Sequence, residues 1–321
     1  MSPEFALIAK YFTRPAGNAT LGVGDDCALI GVSPGCELAV STDTLACGTH
    51  FFADAEPQQL GHKALAVNLS DLAAMGASPR YATLALTLPS IDESWLAAFS
   101  RGFFALAAEY EVELIGGDTT RGPLSITLTV LGEVGIGRAL RRDGANDGDD
   151  IWVSGSLGGA ALALKHLQGT VSLSADDFAS AALRLHQPMP RIALGGALVG
   201  IATSAIDISD GLVADLGHIC ERSGLSAHID WPEVPLSAPL LSVGSEHRLA
   251  CALAGGDDYE LGFTAPATAR HELARIATGI GLALTRIGAM RRGEPGVQVR
   301  DERGVVLNGL PAGFDHFGKN A

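Results

Sequence analysis

Apolar and polar positions alternate or recur along this chain in ways that divide it into strands and helices. Leu38 to Ser41 reads as a buried strand whose polar end is Thr42-Asp43-Thr44. From Pro57 to Met75 the pattern is helical, opened by proline and closed by Gly76, with Leu65, Leu69, Leu72 and Met75 predicted to face the core. Lys63, Val67 and Asp71 fall on a second stripe of that helix, with Lys63 read as a surface lysine balancing nearby carboxylates. Tyr81 to Leu88 alternates as a strand, and Glu93 to Tyr110 reads as a helix burying Trp95, Phe99, Phe103 and Leu106. Val112 to Ile115 is a short strand running into Gly116-Gly117-Asp118, and Leu124 to Val134 is a longer alternating one.

A polar, glycine-rich passage from Arg141 to Asp150 predicts a boundary, and the pattern then starts afresh. Strand Ile151 to Ser154 leads to Gly155-Ser156-Leu157-Gly158-Gly159 and a helix from Ala160 to Leu167. Strand Ser204 to Ile208 leads to Ser209-Asp210-Gly211 and a helix from Leu212 to Arg222. Tyr259 to Thr264 and Leu282 to Ile287 read as strands around a helix near Ala267 to Ala277. Such interspersion predicts a mixed α/β (α+β type) fold rather than a simple doubly wound sheet.

Composition narrows the picture. The 321 residues are long enough for two domains, and 40 glycines exceed the usual share without any collagen-like period. A net charge of -14 and the lack of a basic cluster beyond Arg138, Arg141 and Arg142 exclude diffuse binding to nucleic acid. Five cysteines, an odd number with no CxxC pair, predict a reducing compartment. With no signal peptide and no apolar run of membrane-spanning length, the expectation is a cytoplasmic protein without membrane association.

One local arrangement repeats: an apolar strand, then aspartate beside glycine or a hydroxyl residue. It occurs at Gly22-Val23-Gly24-Asp25-Asp26, Ser41-Thr42-Asp43, Gly116-Gly117-Asp118, Ile206-Asp207-Ile208-Ser209-Asp210 and Gly255-Gly256-Asp257-Asp258. Asp71, in Asn68-Leu69-Ser70-Asp71, offers the same chemistry from a helix. Hard divalent cations want oxygen ligands, and Mg2+ is usually held by carboxylates with water and phosphates. Any single Asp-Gly pair is ordinarily a turn. The residues alone therefore leave two readings open, a set of turns or a metal-assisted phosphoryl-transfer site. A P-loop, the protein-kinase HRD and DFG segments, a GxSxG elbow and HExxH are all absent.

The segments Gly22 to Leu29, Ser41 to Leu45, Lys63 to Ala77, Gly116 to Pro123, Ile206 to Leu212 and Gly255 to Leu261 together resemble the thiamine-monophosphate kinase family, in the family's order over about residues 4 to 317. Enzymes of the same fold, such as aminoimidazole ribonucleotide synthetase and selenophosphate synthetase, share the aspartate theme but match these segments less well.

The resemblance implies a homodimer that phosphorylates thiamine monophosphate with ATP and Mg2+; the many candidate metal carboxylates and the lack of a recognisable activated nucleophile predict direct in-line transfer. The resemblance also implies an aminoimidazole-ribonucleotide-synthetase-like fold with an N-terminal metal/ATP-binding and dimerisation domain (1–140), forming a barrel across the dimer, and a C-terminal α/β domain (146–321). Carried over residue by residue, Asp26, Ser41, Thr42, Asp43, Asp71, Asp118, Asp207 and Asp210 would hold magnesium, with Asp43, Asp71 and Asp118 most critical for catalysis. Gly117, Asp118, Arg142 and Ser209 would contact ATP; His50, Asp257 and Phe314 would contact thiamine monophosphate. Asp257 stands where the family often has glutamate, and Pro311 where it has tryptophan, leaving Phe314 or Phe317 to stack on thiamine. The alternatives are another ATP-dependent enzyme of this fold, acting on a different phosphate, carboxylate or amide, and a non-enzymatic nucleotide- or metal-binding scaffold.

Overall fold

The computed structural model describes residues 3–15, 17–311 and 313–314. They fall into two compact units, one built from the chain up to Leu72 with Ala77–Gly137, the other from Ala73–Gly76 with the chain from Arg138. Among the described residues no helix is long and apolar enough to cross a membrane.

The first unit opens with helix α1 (Pro3–Leu7), which continues as a π-helical turn. It then runs through β1 (Cys36–Ala46), α2 (Pro57–Ala74), β2 (Ser78–Leu88), α3 (Glu93–Glu109), β3 (Glu113–Arg121) and β4 (Ser125–Gly135). Its four strands lie in the order β1-β4-β2-β3, so β1 and β3 form the two edges. One sheet face carries Leu84, Leu86, Ile126, Leu128 and Val130, all buried. The other face carries polar rows, including Thr42 against Thr129 and Thr44 against Thr127, with hydroxyl pairs at 2.8 Å. Period-two alternation alone produces that division.

Helices α2 and α3 cross with backbone nearly touching backbone. A Cβ at Gly61 would collide with Phe99 O, and one at Gly102 with Gln58 O. Asp92 caps α3 by accepting from Ser94 N at 2.9 Å and Trp95 N at 3.1 Å, and Trp95 stacks on Phe99 with ring centroids 5.0 Å apart.

Four expectations need correction. Thr42-Asp43-Thr44 does not end a strand, because β1 runs on to Ala46 through pairing with β4. Gly116-Gly117-Asp118 likewise lies inside β3, paired along β2. Met75 is exposed beyond the last turn of α2 rather than in the core. Lys63 is buried, because α2 is enclosed on all sides from Lys63 to Ser70.

The second unit contains β5 (Asp150–Ser154), α4 (Gly159–Leu167), α5 (Ala175–His186), α6 (Ile192–Leu198), β6 (Ser204–Ile208), α7 (Leu212–Ser223) and β7 (Ser226–Asp230). It continues with α8 (Ser245–Ala254), β8 (Glu260–Ala265), α9 (Arg270–Ile280), β9 (Leu284–Arg291) and β10 (Gly296–Arg300). The sheet order is β10-β7-β9-β5-β8-β6, and within this sheet β10 and β7 pair in parallel while the other described pairs are antiparallel. Ile151, Val153, Ile206, Ile208, Leu216 and Ile219 pack in one buried cluster between sheet and helices. A second cluster around Leu198, Leu261, Phe263 and Leu273 covers the other side of the strands. Both faces of β8 are therefore buried, which explains why its sequence reads as an apolar run rather than an alternation.

Candidate functional site

In the first unit the predicted site residues are arranged where α2 lies against β1. Ser41 Oγ donates to Asp71 Oδ2 at 2.5 Å, and the backbone N–H of Asp43 donates to Asn68 Oδ1 at 3.1 Å. The Asn68 amide nitrogen donates in turn to Ala64 O at 2.9 Å, so both ends of this buried side chain are engaged. Asn68 and Asp71 are three apart on the helix, and Ser41 and Asp43 two apart on the strand, so each pair shares a face. The outcome is a station of hard oxygens on the helix-covered side of β1. The sequence reading did not assign Asn68 a role, and its place inside the Asn68-to-Asp71 segment was the available signal.

Thr42 departs from its expected place. Strand alternation turns its hydroxyl to the opposite face, where it bonds Thr129, so that hydroxyl does not join Ser41 and Asp43. Asp118 is not brought to this station either. Asp43 shares a register row with Leu128 and Leu84, on the buried face, whereas Asp118 aligns with Ala85, Thr127 and Thr44 on the other. With β1 and β3 at opposite edges, three strand spacings separate them, roughly 14 Å. Since Mg2+ sits about 2.1 Å from each oxygen, one ion does not reach both within a chain. Asp26 lies on an exposed loop beside Asp25. Among the described residues, no group of three or more His, Cys, Asp or Glu side chains is close enough to hold a metal ion.

Gly117, at φ +149°, is held against β2 so closely that a Cβ there would collide with Leu84 O. Only glycine keeps this edge backbone flush and leaves Asp118 exposed beside it. His50 folds back on the end of β1, its Nδ1 accepting from Ala46 N–H at 3.0 Å. That bond selects the neutral tautomer protonated on Nε2.

In the second unit Ser209, Asp210, Asp257 and Phe314 meet at one turn. Asp207 is buried in the edge strand β6, and Ser209-Asp210-Gly211 forms the turn from β6 into α7. All three backbone N–H groups of this turn donate to a single oxygen, Asp215 Oδ2, at 3.0, 3.1 and 3.1 Å. The turn's carbonyls face outward: Ser209 O accepts from Asp257 N at 2.9 Å, and Asp210 O from Phe314 N at 3.1 Å. Burial pushes the Asp215 carboxyl up to about 7, helped by the Asp210 charge and opposed by the three N–H donors.

The segment Gly255 to Glu260 departs from ordinary backbone geometry, with Asp257 at φ +68° and Tyr259 at φ +49°. Two buried acids pin this strained stretch. Asp258 accepts from Gly158 N at 2.8 and 2.9 Å, and its burial raises its carboxyl well above the usual range. Glu260, fully buried, accepts from Ser154 Oγ at 2.5 Å, Arg184 Nη1 at 3.2 Å and Arg191 Nε at 2.7 Å, with a further bond to Arg191 Nη2. Neither these arginines nor Asp215 stood out in the sequence, since their partners lie far away along the chain or across a turn.

Arg142 is exposed, its carbonyl accepting from Ser223 Oγ. The adjacent Arg141 O accepts from Ala205 N, beside the start of β6, whereas Ser209 follows its end. Arg142 and Ser209 thus lie at opposite ends of the strand, their backbones roughly 14 Å apart at strand rise. Phe317 lies outside the described residues.

The two α/β units have the fold of the aminoimidazole ribonucleotide (AIR) synthase related class. The model for the AIR synthase related protein N-terminal domain matches residues 24–134, and that for the C-terminal domain residues 146–299. The thiamine-monophosphate kinase of Salmonella typhimurium is 48% identical over 320 residues, covering 98% of each chain. Among solved structures, a thiamine-monophosphate kinase from Stenotrophomonas maltophilia is 49% identical with a TM-score of 0.83, over 92% of this chain and 93% of that one. AaThiL complexed with AMPPCP and TMP is 32% identical with a TM-score of 0.78, over 92% of each. The chain belongs to the thiamine-monophosphate kinase family.

Proposed function

We infer that this chain phosphorylates thiamine monophosphate with ATP, giving thiamine diphosphate and ADP. The observation that carries the reading is end-to-end membership at 48% identity. The meeting of Ser209, Asp210, Asp257 and Phe314 at one turn supports it, because it joins nucleotide-contacting to acceptor-contacting positions.

The acceptor is a phosphate oxygen, already anionic near neutral pH, so no strong general base is needed. The difficulty is electrostatic, since two polyanions must approach in line. Ser41, Asp43 and Asp71 offer only hard oxygens on one face, a donor set that suits Mg2+ retaining water and phosphate ligands. Asp26, Asp118, Asp207 and Asp210 complete the proposed metal set together with Thr42, which contributes its backbone oxygen because its hydroxyl bonds Thr129. When bound, magnesium supplies charge neutralisation for the approaching phosphates. In this assignment Gly117, Asp118, Arg142 and Ser209 contact ATP, with Ser209 at its phosphate end and Arg142 farther along it. His50, Asp257 and Phe314 contact thiamine monophosphate. Transfer is direct, without a phosphoenzyme.

In the proposed arrangement residues 1–140 form the N-terminal metal/ATP-binding and dimerisation domain, and residues 146–321 the C-terminal α/β domain, which adds Asp207, Ser209 and Asp210 to the site. Homodimerisation through a shared barrel is supported by the exposed threonine rows of the first sheet and by β1 and β3 standing at its two edges among the described strands. Five unpaired thiols support a cytoplasmic location.

The test is turnover of thiamine monophosphate with ATP and Mg2+, scored as equal yields of thiamine diphosphate and ADP. Asp71→Asn is expected to lower turnover by at least about 10²-fold, a typical loss for a group that stabilises transferred charge. Absence of thiamine diphosphate, with turnover of a different phosphate, carboxylate or amide, would sink the assignment. Retention of configuration at a chirally labelled phosphorus would rule out single displacement.

A further inference from the structure

We propose that Asp215 is a positioning residue that holds the Ser209-Asp210-Gly211 turn as a rigid hub, through which the nucleotide-contacting and acceptor-contacting parts of the second unit are kept in register. The roles of those parts rest on the function proposed above; the hub itself rests on geometry.

Three consecutive backbone N–H groups pointing inward make a concavity of the kind that binds anions. Here it is filled by the chain's own carboxylate: one oxygen of Asp215 receives all three donors within 3.0 to 3.1 Å. Asp215 is anchored by helix α7, within whose first turns it lies, and its own N–H donates to Gly211 O at 3.0 Å, tying it to the end of the turn. Gly211 sits at φ +120° at the start of the helix and has no side chain of its own to bond there; the carboxylate reaching back satisfies its N–H.

With the N–H groups fixed inward, the carbonyls are fixed outward. Ile208 O, Ser209 O and Asp210 O accept from Tyr259, Asp257 and Phe314 respectively, at 2.8, 2.9 and 3.1 Å. The fit is tight on both sides: a Cβ on Gly256 would press on Ser209 O, and one on Gly313 would press on Asp210 O. Asp215 itself is buried, and the bonds its Oδ2 accepts come from the turn's backbone. Its influence on Asp257 and Phe314 therefore travels through the turn's backbone.

Removing the carboxylate orphans three buried donors at once, each of which then seeks water or another acceptor. The turn would loosen, and Asp257 and Phe314 with it. An amide at the same position keeps an oxygen for the donors and brings an N–H₂ toward the Asp210 charge. Geometry is therefore retained in Asp215→Asn and lost in Asp215→Ala.

Amide hydrogen exchange of the intact protein reads the hub without reference to activity. In Asp215→Ala, peptides containing Asp257 and Phe314 are expected to exchange at least about tenfold faster than in the wild type, while β1 and α2 are unchanged. In Asp215→Asn they should stay within about threefold of it. In the thiamine monophosphate assay, Asp215→Ala should raise KM for both substrates and Asp215→Asn should largely restore it, a split that general destabilisation does not produce. Unaltered exchange at Asp257 and Phe314 in the alanine variant would overturn the proposal, as would an asparagine variant as impaired as the alanine one. Should the wild type lack turnover on thiamine monophosphate, the functional reading fails while the exchange measurement still decides on the hub.

Discussion

Glu260 gives the sharpest stability test in the molecule. Its carboxylate is fully buried and takes bonds from Ser154, Arg184 and Arg191. Glu260→Ala would strip the charge from arginines that stay behind. Arg184 is 36% exposed and regains water at little cost, whereas Arg191 is 15% exposed and is left largely desolvated. Breaking a buried pair from one side costs about 3–5 kcal/mol. For a unit of this size that corresponds to a fall in Tm on the order of 10 °C. Glu260→Gln keeps the volume and one carbonyl oxygen but forfeits the charge-assisted bonds, at about 1.5–3 kcal/mol. Because Trp95 belongs to the first unit and Trp152 to the second, a Trp95→Phe background lets fluorescence in urea follow the unit containing Glu260. A double-mutant cycle with Arg191→Met isolates the pair, and its coupling should recover much of the alanine cost. If Glu260→Ala shifts stability by less than about 1 kcal/mol, the ion pair is not what pins the Gly255-to-Glu260 segment, and the reasoning fails.

Three further outcomes follow from the geometry. Since one chain holds Asp43 and Asp118 on opposite edges and faces of its sheet, Asp43→Asn and Asp118→Asn chains, each inactive, should regain about a quarter of wild-type turnover when refolded together. In the homodimer proposed above, half the pairs would then be mixed, with one of two sites intact; a silent mixture would mean that both aspartates act in the same chain. Thiol labelling should find exposed Cys27 promptly and leave Cys220 and Cys251 unreacted until unfolding, because burial raises both thiols, that of Cys251 to about 11; early labelling of Cys251 would contradict its enclosure. The bond from Arg270 holds the Asp150 carboxyl below its ordinary 3.8, with Arg286 adding to this and burial opposing it. That stabilisation is present above the unfolded value and vanishes as pH falls through the lower folded one. Acid titration of stability should therefore be steeper below pH 4 in the wild type than in Asp150→Asn, and equal slopes would refute the pairing.

Much of the candidate site was legible because its residues come in short runs. Asn68 and Asp71 on one helix, Ser209 to Gly211 at a strand end, and Gly255 to Glu260 each announce themselves within a few positions. Helices α2 and α3 were legible for the same reason, since their periodicity is local. Thr42-Asp43-Thr44 and Gly116-Gly117-Asp118 misled because polar residues within a strand resemble its end when the partner strand is unknown.

The chain's own order of residues determined which chemistry it carries: hard-oxygen stations, unpaired thiols, an acidic surface balance and glycines at close approaches. Tertiary structure decided where that chemistry points. Pairing of β1 with β4 turned Ser41 and Asp43 toward Asp71 and turned Thr42 away, while the strand order carried Asp118 to the far edge. Packing buried Lys63 and brought Arg184 and Arg191 onto Glu260 from about seventy residues away. The physical reason is that strand register and buried ion pairs are set by contacts distant in sequence, whose partners no local pattern reveals.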